Sequence, residues 1–442
     1  MFLIFLYIMV NDPKIYNLKN GLRFLHIPND SNIVSIGFVV KVGSRDEDET
    51  LNGISHFLEH MLFKKTKNRT TKKLLKELDS CGAYYNASTT YEYTSFEIHG
   101  NKNDFVKLFD ILTDMYLNPK ILKHDLEIER GVITEEYNMG ETDIDDRIFE
   151  NLFMEIFGNT GLGRPIIGTY ENIQNFNRND LLSYRNIFYN YLNTTFVVVG
   201  DIKTSILSNL LEKKTKNVKT TNFLNIRKNF EPIQNNPRLN ITYTSSLGQI
   251  YIMFGFRFDG YLKNKNMAYN EKLISHILTS GSSSKLWELL RTKMGVAYYC
   301  SSNIYQYEDN SIFTIKSAVD ENRADEAIEK ILEVIHNIRK GKISNDDINR
   351  AKRIYCNSNE MALNNPNDLF EYYSNNIVKD MALVTPKDIC KKIKNIKYSN
   401  ILSSVKNLFR KDNLNLVILG NVKSKQKEKI IDLLDKWYYL AK

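Results

Sequence analysis

Residues 51–64 read LNGISHFLEHMLFK, and within them His56, Phe57, Leu58, Glu59 and His60 decide how the rest of the chain is read. The apolar residues Phe57, Leu58, Met61 and Leu62 recur at the spacing of a helix face, which predicts a helix. On a helix of about 3.6 residues per turn, His60 lies roughly 40° round from His56 and Glu59 roughly 60° to the other side. All three therefore project into one sector of about 100°. Two neutral imidazoles can hold Zn²⁺, and a carboxylate beside them, not itself a ligand, can take a proton from the water that such an ion polarises. The order H-x-x-E-H inverts the commoner H-E-x-x-H and is the inverzincin pattern. The plainer reading, two core histidines with incidental partners, leaves Glu59 in an apolar helix without a reason.

A zinc ion held by two histidines needs a third ligand and an open position, and a carboxylate is the usual choice. The segment DLEIERGVITEEYNM, residues 125–139, predicts a helix in which Glu129 and Glu136 stand two turns apart on one face. Spacing alone does not choose among Glu127, Glu129, Glu135 and Glu136, and a solvated acidic helix has the same pattern. Between these two helices, AYYNASTTYEYTSFEIHG (83–100) alternates Tyr, Thr and Phe in strand-like runs. It is either an interior strand or an edge on which an extended peptide adds itself as another strand.

The chain also repeats itself. Val197–Lys203, VVVGDIK, recurs as Leu416–Lys423, LVILGNVK, and Gly200 and Gly420 stand 220 positions apart. The same shift carries Ile54-Ser55-His56 onto Ile274-Ser275-His276, but Thr279 and Ser280 replace Glu59 and His60. The second half is thus expected to copy the scaffold without the metal site. Lys213 to Asn240, rich in Lys and Asn, reads as a linker. The expected division is 1–212 for an N-terminal catalytic zinc-binding domain, 213–240 for the linker, and 241–442 for a C-terminal homologous domain. In that second half Arg291 and Tyr298 are seven apart at a helix end. They read as a surface arginine and a core tyrosine, or as a cation and a phenol that steady an oxyanion.

Composition narrows the class. The chain has 442 residues, 42% hydrophobic and 25% charged, long enough for two domains. A net charge of +8 spread along the sequence, with no basic arm, argues against a nucleic-acid partner. Cys81, Cys300, Cys356 and Cys390 are far apart with no C-x-x-C pairing and read as reduced thiols of an intracellular protein, in cytosol or organelle matrix. The apolar start MFLIFLYIMV is too short to span a bilayer and lacks the marks of a signal or transit peptide, so it reads as a buried first strand or a frayed start.

The sequence resembles the pitrilysin/insulinase family of zinc metallopeptidases. It is most similar to the short branch that includes the mitochondrial processing peptidase β subunit and its bacterial relatives. The resemblance runs through NGLRFL (20–25), VGSRDE (42–47), GISHFLEHMLFK (53–64), NASTTYEYTSF (86–96), ERGVITEEYNM (129–139), GRPIIGT (163–169) and GSSSKLWELLRTKMGVAYY (281–299). It implies one Zn²⁺ per chain on His56, His60 and Glu136, with Glu129 orienting a ligand histidine and Glu59 as general base. It further implies that Asn86 and Ala87 pair with the substrate, that Arg291 and Tyr298 act from the second domain, and that the chain pairs as a homodimer or with a homologous subunit. Lys65 departs from the family's usual glycine. The expected fold is α+β: two homologous domains, each an antiparallel sheet with helices mainly on one face. The expected function is zinc-dependent hydrolysis of short or unfolded peptides, presequence-like ones among them, the alternative being a non-catalytic scaffold or assembly subunit of the same fold. Asp143, Asp145 and Asp146 would favour basic peptides or form a solvated helix face.

Overall fold

A computed structural model describes residues 12–216, 221–227, 230–244, 248–263, 268–362 and 365–440. The apolar start, expected as a strand or frayed end, lies outside the described residues, as do parts of the expected linker.

The first sheet is built from β1 (Lys14–Asn17), β2 (Arg23–Ile27), β3 (Ile33–Val40), β4 (Tyr84–Thr89), β5 (Thr94–Asn101) and β6 (Thr194–Val199), in the order β1-β2-β6-β3-β5-β4. The second comprises β7 (Arg238–Thr242), β8 (Gln249–Asp259), β9 (Ala297–Gln306), β10 (Asn310–Asp320) and β11 (Leu414–Leu419), in the order β7-β11-β8-β10-β9. The two sheets answer the internal repeat: β6 and β11 carry its Val- and Leu-rich cores. The expectation of wholly antiparallel sheets needs one refinement, since β2 runs parallel to β6 and β7 parallel to β11. In both places the later strand returns only after three further strands of its sheet and several helices, and a hairpin would have allowed only antiparallel pairing.

Six helices carry the argument: α1 (Ile54–Leu62), α2 (Lys123–Thr142), α3 (Ile144–Phe157), α4 (Tyr269–Thr279), α5 (Asn345–Ala362) and α6 (Pro366–Val378). By spatial contact the chain forms two compact units that are not contiguous in sequence. One takes the chain up to Asn138, Thr160–Arg227 and Met361–Thr385; the other takes Met139–Asn159, Lys228–Glu360 and the chain from Pro386 onward. Each unit thus borrows a helix, α6 or α3, from the opposite half of the sequence, which a division at 213–240 does not anticipate.

In the first unit, one face of the sheet packs on α1 and the helices 105–117 and 178–188 through Phe38, Phe57, Phe96, Leu108, Leu181 and their neighbours. The opposite face packs Leu25, Val39, Val197 and Val199 against Leu369, Phe370, Tyr373 and Ile377 of α6. Gly37 on β3 makes this possible, because a Cβ there would stand 2.3 Å from the Phe370 ring. The second unit repeats the device. Gly255 on β8 meets Leu152 and Ile156 of α3, and an added Cβ would lie 2.8 Å from Leu152.

Candidate metal centre

The first unit's metal-site residues are set by where α1 begins. Gly53 adopts a left-handed conformation at φ 100°, and a Cβ there would stand 2.5 Å from the Ile167 carbonyl oxygen, so only glycine fits. The N–H groups of Gly53 and Ser55 have no partner within the helix; they donate to the two carboxylate oxygens of Glu47 at 2.7 and 2.8 Å. Burial pushes the Glu47 carboxyl up to about 7, against the pull of these bonds and of Asn52. Ile54, Phe57, Leu58, Met61 and Leu62 bury the inner face of α1, and Ser55 is tied to the Tyr184 hydroxyl at 2.8 Å. That anchoring turns His56, Glu59 and His60 to the remaining face, where all three are half-buried.

There the two imidazoles meet α2. Glu136 lies with one carboxylate oxygen 3.5 Å from His56 Nε2 and the other 3.4 Å from His60 Nε2. A tetrahedral zinc site with bonds of about 2.0–2.1 Å places neighbouring donor atoms about 3.4 Å apart, so these separations fit the ion. The three donors lie within 4.8 Å of one another, the one such trio of His, Cys, Asp or Glu among the described residues. The opposite nitrogen of His60, Nδ1, faces Glu129 Oε2 at 3.1 Å, which leaves Nε2 free to coordinate. Glu129 also pairs with Lys64. Burial would raise the Glu129 carboxyl, but the His60 and Lys64 hydrogen bonds hold it below the usual carboxylate range.

Electrostatics agree with a place for a cation. Hydrogen bonds from His56 and His60 pull Glu136 far below the ordinary carboxylate range. Burial disfavours charge on His60, yet Glu129, Glu136 and Glu59 outweigh it and push the ring up to about 9. A positive charge is therefore favoured at this point whether a proton or a metal ion supplies it. Of the four glutamates left open by spacing, α2 presents Glu136 to both rings and Glu129 to the far side of His60. Glu127 turns outward to pair with Arg130.

Glu59 is held by Thr89 of β4, whose hydroxyl donates to Oε2 at 2.6 Å. Beside it opens a pocket of about 250 Å³ lined by Glu59, His60, Phe63, Lys64, Tyr85, Asn86, Ala87 and Glu129. Asn86 and Ala87 thus stand next to the metal residues, on the strand that ends the sheet. Arg291 and Tyr298 belong to the second unit. Arg291 lies in a π-helical turn, 287–293, with its guanidinium 5.3 Å from the Tyr298 ring centroid. Tyr298 is 69% exposed, so the reading of a core tyrosine is corrected: it opens β9, where its ring faces solvent and the arginine rather than the interior.

Three contributors escaped the sequence reading. Glu47 stood within a quoted motif, but an acid several residues before a helix carries only a weak capping signal. Lys64 and Thr89 carried none, because lysine at a helix end and threonine in a polar strand are commonplace.

Two family models match the chain one after the other. Residues 24–170 match the family model described as insulinase, peptidase family M16, and residues 175–355 match the peptidase M16 inactive domain. An uncharacterised zinc protease of Rickettsia bellii is 29% identical over 93% of this chain and 99% of its own length. The mouse mitochondrial-processing peptidase subunit beta is 37% identical over 41% of this chain and 37% of its own. The fold is also that of a crystallised protease from Helicobacter pylori, with a TM-score of 0.86 at 22% identity, covering 93% of this chain and 100% of that one. With 24–170 and 175–355 both matched by models of one family, the chain belongs to the insulinase, or M16, peptidase family, known also as the pitrilysin family.

Proposed function

We propose that the protein is a zinc-dependent endopeptidase acting on short or unfolded peptides. The observation that carries this reading is the convergence of His56 Nε2, His60 Nε2 and the Glu136 carboxylate at tetrahedral spacing, with Glu59 beside them. One Zn²⁺ per chain, bound by those three residues, would supply Lewis-acid activation of water and of the scissile carbonyl. Glu59 accepts the proton of the attacking water and returns it to the leaving amine, held in one orientation by the Thr89 hydroxyl. Glu129 fixes the His60 tautomer by accepting a hydrogen bond from the Nδ1–H, which leaves Nε2 as the ligand atom. The substrate adds as a strand along β4, its backbone pairing at Asn86 and Ala87. Arg291 and Tyr298, an exposed cation on the 287–293 turn and an exposed phenol near the start of β9, are the groups of the second unit proposed to steady the tetrahedral adduct.

The Rickettsia relative is named a zinc protease, which supports the metal, and the mouse relative is named a subunit, which supports pairing with a second homologous chain. Among the described residues no helix is long and apolar enough to cross a membrane. The test is incubation of the full chain with an internally quenched unstructured peptide. Hydrolysis that stops with a chelator and returns with zinc supports the reading. Absence of hydrolysis at full zinc occupancy, alone and with a homologous partner, would leave a non-catalytic scaffold of the same fold.

A further inference from the structure

The register of β4 on β5 pairs Asn86 with Glu97 and Ser88 with Ser95, so these four side chains share one face of the sheet, opposite to the face that carries Ala87 and Thr89. On that face, within the first unit, a cleft of about 550 Å³ opens between β4, β5 and the side of α6. Glu97 lies in its floor, 9% exposed, with His99 Nε2 3.5 Å away as its sole ionic neighbour among the described residues. Asp368 and Glu371 of α6 line the wall, and among the described residues no lysine or arginine lines the cleft. Ser374, 3% exposed and also lining it, has no hydrogen-bond partner for its Oγ among the described residues. Burial and then the charges of Glu97 and Asp368 raise the Glu371 carboxyl above its usual range, with His99 pulling the other way.

Resting on the strand-addition reading above, we propose that this cleft is a specificity subsite for a lysine or arginine side chain of the bound peptide, held by Glu97 and Glu371. Side chains of a strand added outside β4 alternate between the two faces, so every second one points to the cleft rather than to α1. Strand spacing is about 4.8 Å, so the residue opposite Asn86 must reach across one strand to meet Glu97. Asn86 and Ser88 are short and leave that path open. Of the common side chains only Lys and Arg combine the needed stem with a cationic head, and the unpartnered Ser374 hydroxyl offers a further acceptor.

The test uses the full zinc-loaded chain and a set of otherwise identical quenched peptides. Each carries Lys, norleucine or Glu at one of the six positions flanking the cleaved bond. At a position whose immediate neighbours show no such preference, Lys should be cleaved over norleucine by about 10-fold, the worth of a charge-assisted hydrogen bond. In Glu97→Gln and in Glu371→Gln, the latter on an exposed helix surface where folding is not at stake, the ratio should fall toward 1. A wild-type ratio near 1 at every position, or a preference that both variants retain, overturns the subsite. Binding to Glu59→Gln, followed by fluorescence anisotropy, separates this from failure of the hydrolase reading. If no peptide is cleaved, tighter binding of the Lys peptide that is lost on adding Glu97→Gln still supports the subsite, and equal binding of Lys and norleucine peptides refutes it.

Discussion

Helices α1 and α4 are copies of one another in sequence, and their polar residues do opposite things. In α1, His56, Glu59 and His60 direct their polar atoms outward, toward Glu136, Thr89 and Glu129 from other elements. In α4 the two groups at the histidine positions close on each other, and only the residue at the Glu59 position still turns to a strand, β9. His276 Nδ1 meets the Ser280 hydroxyl at 2.7 Å, while Ser275 and Thr279 both meet the Ser302 hydroxyl, at 2.7 and 2.6 Å. Behind α4, helix α5 carries Tyr355 and Cys356 at the positions that a shift of 220 gives Glu135 and Glu136, and the Tyr355 ring packs edge-on against His276. Burial, with the charges of Arg350 and Lys272, pushes His276 down, the reverse of His60. What survives in both is scaffold: Arg130 of α2 and Arg350 of α5 each donate to two backbone carbonyls, of Ile173 and Phe176 and of Ser280 and Ile277. A metal site therefore costs a fold little to lose, since hydroxyls and one apolar pair satisfy the same helix.

The contrast can be broken most sharply at the ligands. His60→Ala or Glu136→Gln should take zinc from one equivalent per chain to none by metal analysis, whereas His276→Ala should leave it at one. Next, Glu59→Gln should retain zinc and lose turnover by ~10³-fold, measured on a quenched peptide, because only the base is gone. Retained hydrolysis in that variant would remove Glu59 from its role. Glu129→Gln should weaken zinc binding by ~10 to 100-fold in a competition titration with a chromogenic chelator, as loss of a ligand-orienting group does. The smallest effect belongs to the copy. Ser302→Ala should cost ~1 kcal/mol of stability in chemical denaturation, for the hydrogen bonds it leaves unmade, with zinc content unchanged.

The two histidines, the glutamate between them, the repeat and the polar strand were legible because each is a local pattern: a helical period, a strand period or a recurring string. Glu136 was not separable from its neighbours by spacing, since Glu129 shares its helix face and only the approach of α1 decides which carboxylate meets both rings. Thr89 and Glu47 act across 30 and 8 residues, respectively, through single hydrogen bonds that leave no periodic trace. The borrowed helices were hidden for a related reason. An amphipathic pattern in 366–378 announces a buried face without naming the sheet that buries it. The parallel pairs β2–β6 and β7–β11 likewise depend on where a long crossover returns.

The close seating of Phe370 over Gly37 has a consequence for biosynthesis. When translation has just finished β6, every strand of the first sheet exists, but the face bearing Leu25, Val39, Val197 and Val199 has nothing to lie against. Its cover, Pro366–Val378, leaves the ribosome only after most of the second sheet has been made, a wait on the order of 10 s at ordinary elongation rates. Through that interval the nascent protein exposes a bare aliphatic sheet surface, the kind of surface that holding chaperones bind and that aggregates in their absence.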